Sequence, residues 1–238
     1  YCSTELTLNR TWKIVENGTV GTVQIAADGA ILDTHLNTAG TIKLLKIADD
    51  SGLTSNVEYW PLTLETINGT AVYTTDFNID GTKYFTFTEL NAIVWKGDTA
   101  TWTGGGRGNG APNSTGDTSK LLIIDSGSSQ LNGFITQDAD VGCTWVLSGS
   151  KLIVNSGLNL TVRNELDLEG TSELRMIYPA QLLQTHAGSS QVTGTGTIYL
   201  DFKPTADNTY KYNYVGSPVV SANGATSYTI AKVLKDGT

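Results

Sequence analysis

Histidine and cysteine are almost missing: the 238 residues hold two of each, with a single methionine and five prolines. Two cysteines 141 positions apart, Cys2 and Cys143, cannot by themselves build a tetrahedral metal site. His35 and His186 stand in no paired-ligand motif and flank no Gly-x-Ser-x-Gly elbow, so both read as strand or surface residues. Positive charge is scarce too, with 15 Lys and Arg against 23 Asp and Glu, a net charge of −8 and a pI near 4.7. Such a chain repels phosphates and has no basic stripe to displace counterions, which argues against nucleic acid as a partner. Long apolar runs are lacking. The uncharged stretch Met176–Leu200 is broken by Pro179, His186, Gly188, Gly194 and Gly196, and nothing approaches the ~20 apolar residues of a membrane-spanning helix.

What fills the chain is small and polar. Thr (35), Gly (26), Ser (17) and Asn (16) take 94 of the 238 positions, and charged residues reach only 16%. Threonine is a poor helix former and glycine costs about 1 kcal/mol in a helix interior, so the composition predicts an all-β protein without long helices. The length suits one large or two modest domains. Tyr1-Cys2-Ser3-Thr4 lacks the basic and apolar start of a leader, and Asp236-Gly237-Thr238 reads like mid-domain, which predicts a piece of a longer protein.

From Thr4 to Leu90 apolar residues alternate, as in Val23 and Ile25, Ile42 and Leu44, Val57 and Tyr59, Phe85 and Phe87. Asn17-Gly18, Asp28-Gly29, Asn68-Gly69 and Asp80-Gly81 supply turns between strands of about five residues. Residues 1–92 therefore predict an antiparallel β-sandwich-like domain. A Gly-rich stretch comes next, with Gly104-Gly105-Gly106 and Gly108 at its centre, and marks a linker or loop over 93–120.

The rhythm then changes. Short apolar pieces begin at Leu152, Leu158, Leu166 and Leu174, separated by corners such as Asn155-Ser156-Gly157 and Glu169-Gly170-Thr171. Three such strands make a coil of about 20 to 24 residues, so 121–208 predicts a short parallel β-solenoid, with a hairpin meander as the competing reading. Residues 209–238 read as the start of a further, truncated β module.

Candidate chemistry is sparse. Asp76, Asn78 and Asp80, followed by Gly81, match the opening of a calcium loop, whose alternate oxygens converge on one ion. Position 12 of that loop is Phe87 instead of a bidentate glutamate, and Asn-x-Asp-Gly is equally a hairpin turn. Calcium is the only cofactor for which the residues offer a pattern. Arg163, Glu165, Asp167 and Glu169 alternate, so in one strand they would share a side as a charged cleft of the kind polysaccharide-cleaving solenoids use; a solvated face gives the same pattern. Trp102, beside the Gly-rich loop, is the best candidate for a sugar-stacking aromatic, while Trp12, Trp60, Trp95 and Trp145 are assigned mostly to core. Cys2 and Cys143 form a disulfide or remain unpaired. No catalytic residue is assigned.

The segment from Thr101 to Thr238 resembles a module of surface proteins of the Bacteroidetes, exported by the type IX secretion system and including the gliding-motility adhesins of flavobacteria. Thr101-Trp102-Thr103-Gly104-Gly105-Gly106 with Gly110-Ala111-Pro112 is similar to that module's opening. Ser150-Lys151-Leu152-Ile153-Val154-Asn155-Ser156-Gly157 and Leu158-Asn159-Leu160-Thr161-Val162 resemble its repeated coils. Tyr212-Asn213-Tyr214 with Ser217-Pro218-Val219 resembles its tyrosine-x-tyrosine and serine-proline-valine signature, although Val215 and Gly216 replace the usual tryptophan and serine. The resemblance implies an extracellular, cell-surface, adhesive or structural segment without catalysis. Its partners would be a surface glycan, a solid surface or outer-membrane secretion and motility proteins. Two alternatives stand beside it: a carbohydrate-binding or polysaccharide-degrading extracellular module, and a subunit or bound substrate of the secretion and motility machinery.

Overall fold

The computed structural model describes residues 4–95, 112, 116–125, 133–185, 192–201 and 203. Tyr1–Leu200 is one compact unit and Asp201–Thr238 a second, and the described strands and helix all belong to the first. Its amino-terminal part contains β1 (Leu6–Thr7), β2 (Trp12–Val15), β3 (Thr22–Asp28), helix α1 (Gly29–His35), β4 (Ile42–Ala48), β5 (Glu58–Pro61), β6 (Thr63–Ile67), β7 (Thr70–Asn78) and β8 (Thr82–Leu90). One antiparallel sheet has the order β1-β8-β4-β5, with β2 also on β8; the other is β3-β7-β6. Leu45, Ile47, Trp60, Phe77 and Phe87 fill the space between them, giving the expected sandwich.

Turn chemistry explains the connections, with one correction. Asn68 and Gly69 both have positive φ (50° and 79°), the pair a two-residue hairpin needs, and they join β6 to β7 with Ile67 opposite Thr70. Asp28-Gly29 is not the turn that the sequence predicts. Asp28 caps α1 instead, its carboxylate accepting from the Ile31 N–H at 3.1 Å, and Gly29 opens the helix where an added Cβ would lie 2.7 Å from the Ala71 carbonyl oxygen. Leu32 of α1 and Leu36, which caps its C-terminus, are buried in the sandwich core.

The remainder winds. β9 (Ala92–Trp95), β10 (Leu121–Ile124), β13 (Cys143–Val146), β16 (Leu166–Leu168) and β19 (Val192–Gly194) form one sheet. β11 (Gly133–Ile135), β14 (Lys151–Val154), β17 (Glu173–Met176) and β20 (Thr197–Leu200) form a second, and β12 (Ala139–Val141), β15 (Asn159–Val162) and β18 (Gln181–Gln184) a third. Every pairing among these strands is parallel, which a hairpin meander cannot give. From β10 onward the chain visits the three sheets in turn, so it forms a three-sided parallel coil. Leu122 pairs with Thr144, Leu152 with Leu174 and Leu160 with Leu182, each 22 positions on, within the expected coil length. The corners repeat at the same interval: Ser150 N–H donates to the Leu147 carbonyl and Ser172 N–H to that of Glu169, both at 2.9 Å. Leu122, Val146, Leu152, Val154, Leu160, Leu168 and Leu174 stack inside.

Sandwich and coil meet without a break. β8 passes through Asn91 directly into β9, so the boundary expected at 92/93 falls inside a strand; residues 96–111 of the expected linker lie outside the described residues. The outward side chains Ala92, Val94, Leu121, Ile123 and Cys143 pack on Leu44, Tyr59 and Leu90 of the sandwich. This is why β9 and β10 read Ala-Ile-Val-Trp and Leu-Leu-Ile-Ile: both faces are covered. Beyond the sandwich's reach, β16 reads Leu-Asp-Leu, with only its inner face apolar. The sheet of β8 and β4 is thus a middle layer, with Leu45 on one side and Leu44 on the other.

Candidate functional site

Two places concentrate side chains with something to do. The first lies at the junction of sandwich and coil. Lys46 of β4 holds the Glu5 carboxylate at 3.1 Å, and the Tyr59 hydroxyl of β5 donates to the same Glu5 oxygen at 3.4 Å. The other Glu5 oxygen is buried without a hydrogen-bond partner. Burial, then the charges of Glu5 and Glu169, push the Tyr59 phenol upward and keep it neutral. Glu169 follows β16 in the coil, and its own carboxyl is pushed up by burial and then by the nearby Asp167 and Asp125. Lys46 and Tyr59 thus gather on Glu5 at the sandwich side of the junction, and Glu169 of the coil acts on Tyr59 through its charge.

The second is an apolar cleft of about 280 Å³ on the lateral side of the sandwich between β2 and β3. Trp12 stacks on Phe85 (ring centres 5.6 Å apart, planes at 17°) and meets the edge of Phe87 at 5.5 Å. Ile25 and Ala27 of β3 form the facing wall, and Ile31 and Leu32 of α1 close one end. On the opposite lateral side the chain itself crosses between the sheets, from β5 through Leu62, whose N–H bonds to the Lys43 carbonyl at 3.0 Å, into β6.

The residues singled out in sequence fare differently. Asp76 and Asn78 are exposed on the outer face of the extended β7, opposite Gln24 and Thr22, and exposed Asp80 sits in the turn that carries the chain from one sheet to the other. An extended strand spaces alternate side chains by about 7 Å, whereas a calcium loop curls them onto one point. Among the described residues no group of three or more His, Cys, Asp and Glu could hold a metal. Trp102 and His186 lie outside the described residues. His35 is exposed in the last turn of α1. Cys143 is disulfide-bonded; Cys2, the chain's only other cysteine, lies outside the described residues.

The row Arg163, Glu165, Asp167 and Glu169 is not one strand face. β15 ends at Val162 and β16 begins at Leu166, so a corner intervenes. Arg163 turns to the preceding coil, where its Nε and Nη2 donate to the two Asp140 oxygens at 2.7 Å each. Glu165 accepts from the Thr193 hydroxyl at 3.2 Å, while Asp167 stands opposite Trp145 on the coil's outer face. The Glu5–Lys46–Tyr59 group had no sequence signal, because its members come from distant segments. The cleft had one: the alternating aromatics Phe85 and Phe87 of β8.

No family model, curated protein or solved structure matches this chain.

Proposed function

We propose that this chain is a non-catalytic, adhesive or structural segment of a secreted cell-surface protein. The observation that carries the reading is the continuous core across sandwich and coil. β8 enters β9 with no intervening loop, and Leu44 and Tyr59 pack on Val94, Leu121, Ile123 and Cys143. A pull along the chain would be shared by two antiparallel sheets and three parallel ladders, which suits a part that transmits force between a cell and a surface.

Two further features support the setting. Disulfides such as that of Cys143 persist chiefly in oxidising compartments. The resemblance of 101–238 to type IX-exported adhesins supplies the export route and gliding motility as the process served. The partner in this reading is a surface glycan or a solid surface. The test is detachment under flow of beads coated with the oxidised chain, on glycan-coated and on bare hydrophobic glass, against beads coated with the heat-unfolded chain. Retention that requires the folded chain is expected; equal detachment of folded and unfolded coats on every surface, or turnover of a polysaccharide, would overturn the reading.

A further inference from the structure

Cys143 carries its disulfide at the seam between sandwich and coil. Its side chain is 1% exposed and shares a cluster with Leu44, Tyr59, Leu121 and Ile123, and the chain holds only one other cysteine, Cys2. Glu5, three residues after Cys2, is fastened at that same seam. Lys46 holds its carboxylate at 3.1 Å, and the hydroxyl of Tyr59, from the Cys143 cluster, donates to it at 3.4 Å. Three residues span at most about 11 Å, so the anchor at Glu5 leaves Cys2 within reach of the seam.

A bond between the two cysteines encloses residues 3–142, which include the whole sandwich and the coil as far as β12. That loop begins with short strands. β1 holds to β8 by two residue pairs, Leu6 with Glu89 and Thr7 with Thr88, and β2 holds to the same strand by four. A pull arriving through the amino terminus would load these strands one after the other, each alone. Delivered through the disulfide, it reaches instead the start of β13, which is paired on both edges, with β10 and β16, and braced from the side by Leu44 and Tyr59.

We infer that Cys2 is the partner of Cys143 and that their bond is a covalent bypass: load entering at the amino terminus passes into the coil at β13 instead of running through β1 to β12. The use of such a bypass rests on the adhesive reading. The bond is also a switch. A dithiol that gives up two electrons and two protons, becoming a disulfide itself, turns the bridge into two thiols, and the load then runs through β1 and β2.

The test stretches single oxidised chains between handles at Tyr1 and Thr238, with no ligand or surface present. Because 140 residues stay inside the closed loop, the fully extended chain should measure about 350 Å, against about 850 Å once a dithiol has opened the bridge. Leu160→Ala, fully buried in β15 on the loaded side of Cys143, should lower the first rupture force of the oxidised chain. Trp12→Ala, whose ring stacks β2 on Phe85 of β8, should lower it only after reduction. Circular dichroism shows whether each variant is folded, and the extended length decides even where one is not. An oxidised chain that extends to about 850 Å, a bridge that joins two chains on non-reducing electrophoresis, or an oxidised rupture force lowered by Trp12→Ala or untouched by a folded Leu160→Ala would each overturn the inference. Adhesion plays no part in these readings, so a chain with the short extended length that fails to hold beads under flow would refute the adhesive reading and leave the bypass standing.

Discussion

Replacing Leu44 by alanine should loosen the coil as well as the sandwich. Leu44 is fully buried in β4, which is hydrogen-bonded to β8 on one edge and β5 on the other. Strands held on both edges cannot close around a lost side chain, so most of the cavity would persist. The missing carbons cost about 2.4 kcal/mol by transfer, and a persistent cavity brings the total to about 3–5 kcal/mol, the upper part of the Leu→Ala range. Against a domain stability of about 5–15 kcal/mol this is a large fraction. The assay is hydrogen exchange followed by mass spectrometry, comparing fragments that cover β4, β13 and β14. Because Leu44 shares its cluster with Leu121, Ile123 and Cys143, protection should fall in β4 and in β13 together. As a control, Leu183→Ala, 41% exposed on the coil surface, should cost less than about 1 kcal/mol. Wild-type protection in β13 and β14 after Leu44→Ala would show two independently folding parts and refute the shared core.

Glu169→Gln should stabilise the chain at neutral pH. Its folded carboxyl is raised by burial, Asp167 and Asp125, so the stability it lends is full below the ordinary glutamate value of about 4.3 and is lost as pH climbs through the raised value; thermal melts of wild type and variant from pH 4 to 8 should diverge with rising pH. Cys143→Ser should cost about 2–5 kcal/mol in denaturant titrations, and Cys2→Ser should match it if the bridge is internal. Glu89 is 1% exposed; both its oxygens accept from the Thr38 N–H, and its carboxylate also takes the Thr38 and Thr41 hydroxyls. Glu89→Ala leaves these donors without their partner, and a loss of about 2–3 kcal/mol is expected in the same titrations.

Much of the fold was legible because local chemistry forced it. Asn68-Gly69 admits positive φ at both positions, and the apolar pieces from Leu152 to Met176 recur at the interval of a winding chain. Where two structures share one local signal, the sequence misled. Asp-Gly serves a hairpin turn or a helix cap equally, and seven residues of α1 are too few to show a helical period. β11, β12 and β19 have three residues each, too short for any alternation to register. Residues 93–95, expected in the linker, belong to a strand covered on both faces, and only the tertiary fold shows that Leu44 and Tyr59 pack on its second face. The charged row from Arg163 failed because alternation was read through a corner. Glu5, Lys46 and Tyr59 meet only through the tertiary fold, which no spacing encodes.

The most direct measurement is protease shaving of intact native cells, followed by non-reducing mass spectrometry of the released fragments. Release from the cell exterior of a resistant fragment spanning 1–200, with the Cys143 disulfide intact, is the expected result. Recovery of the chain only after lysis, with Cys143 as a free thiol, would contradict a role at the cell surface.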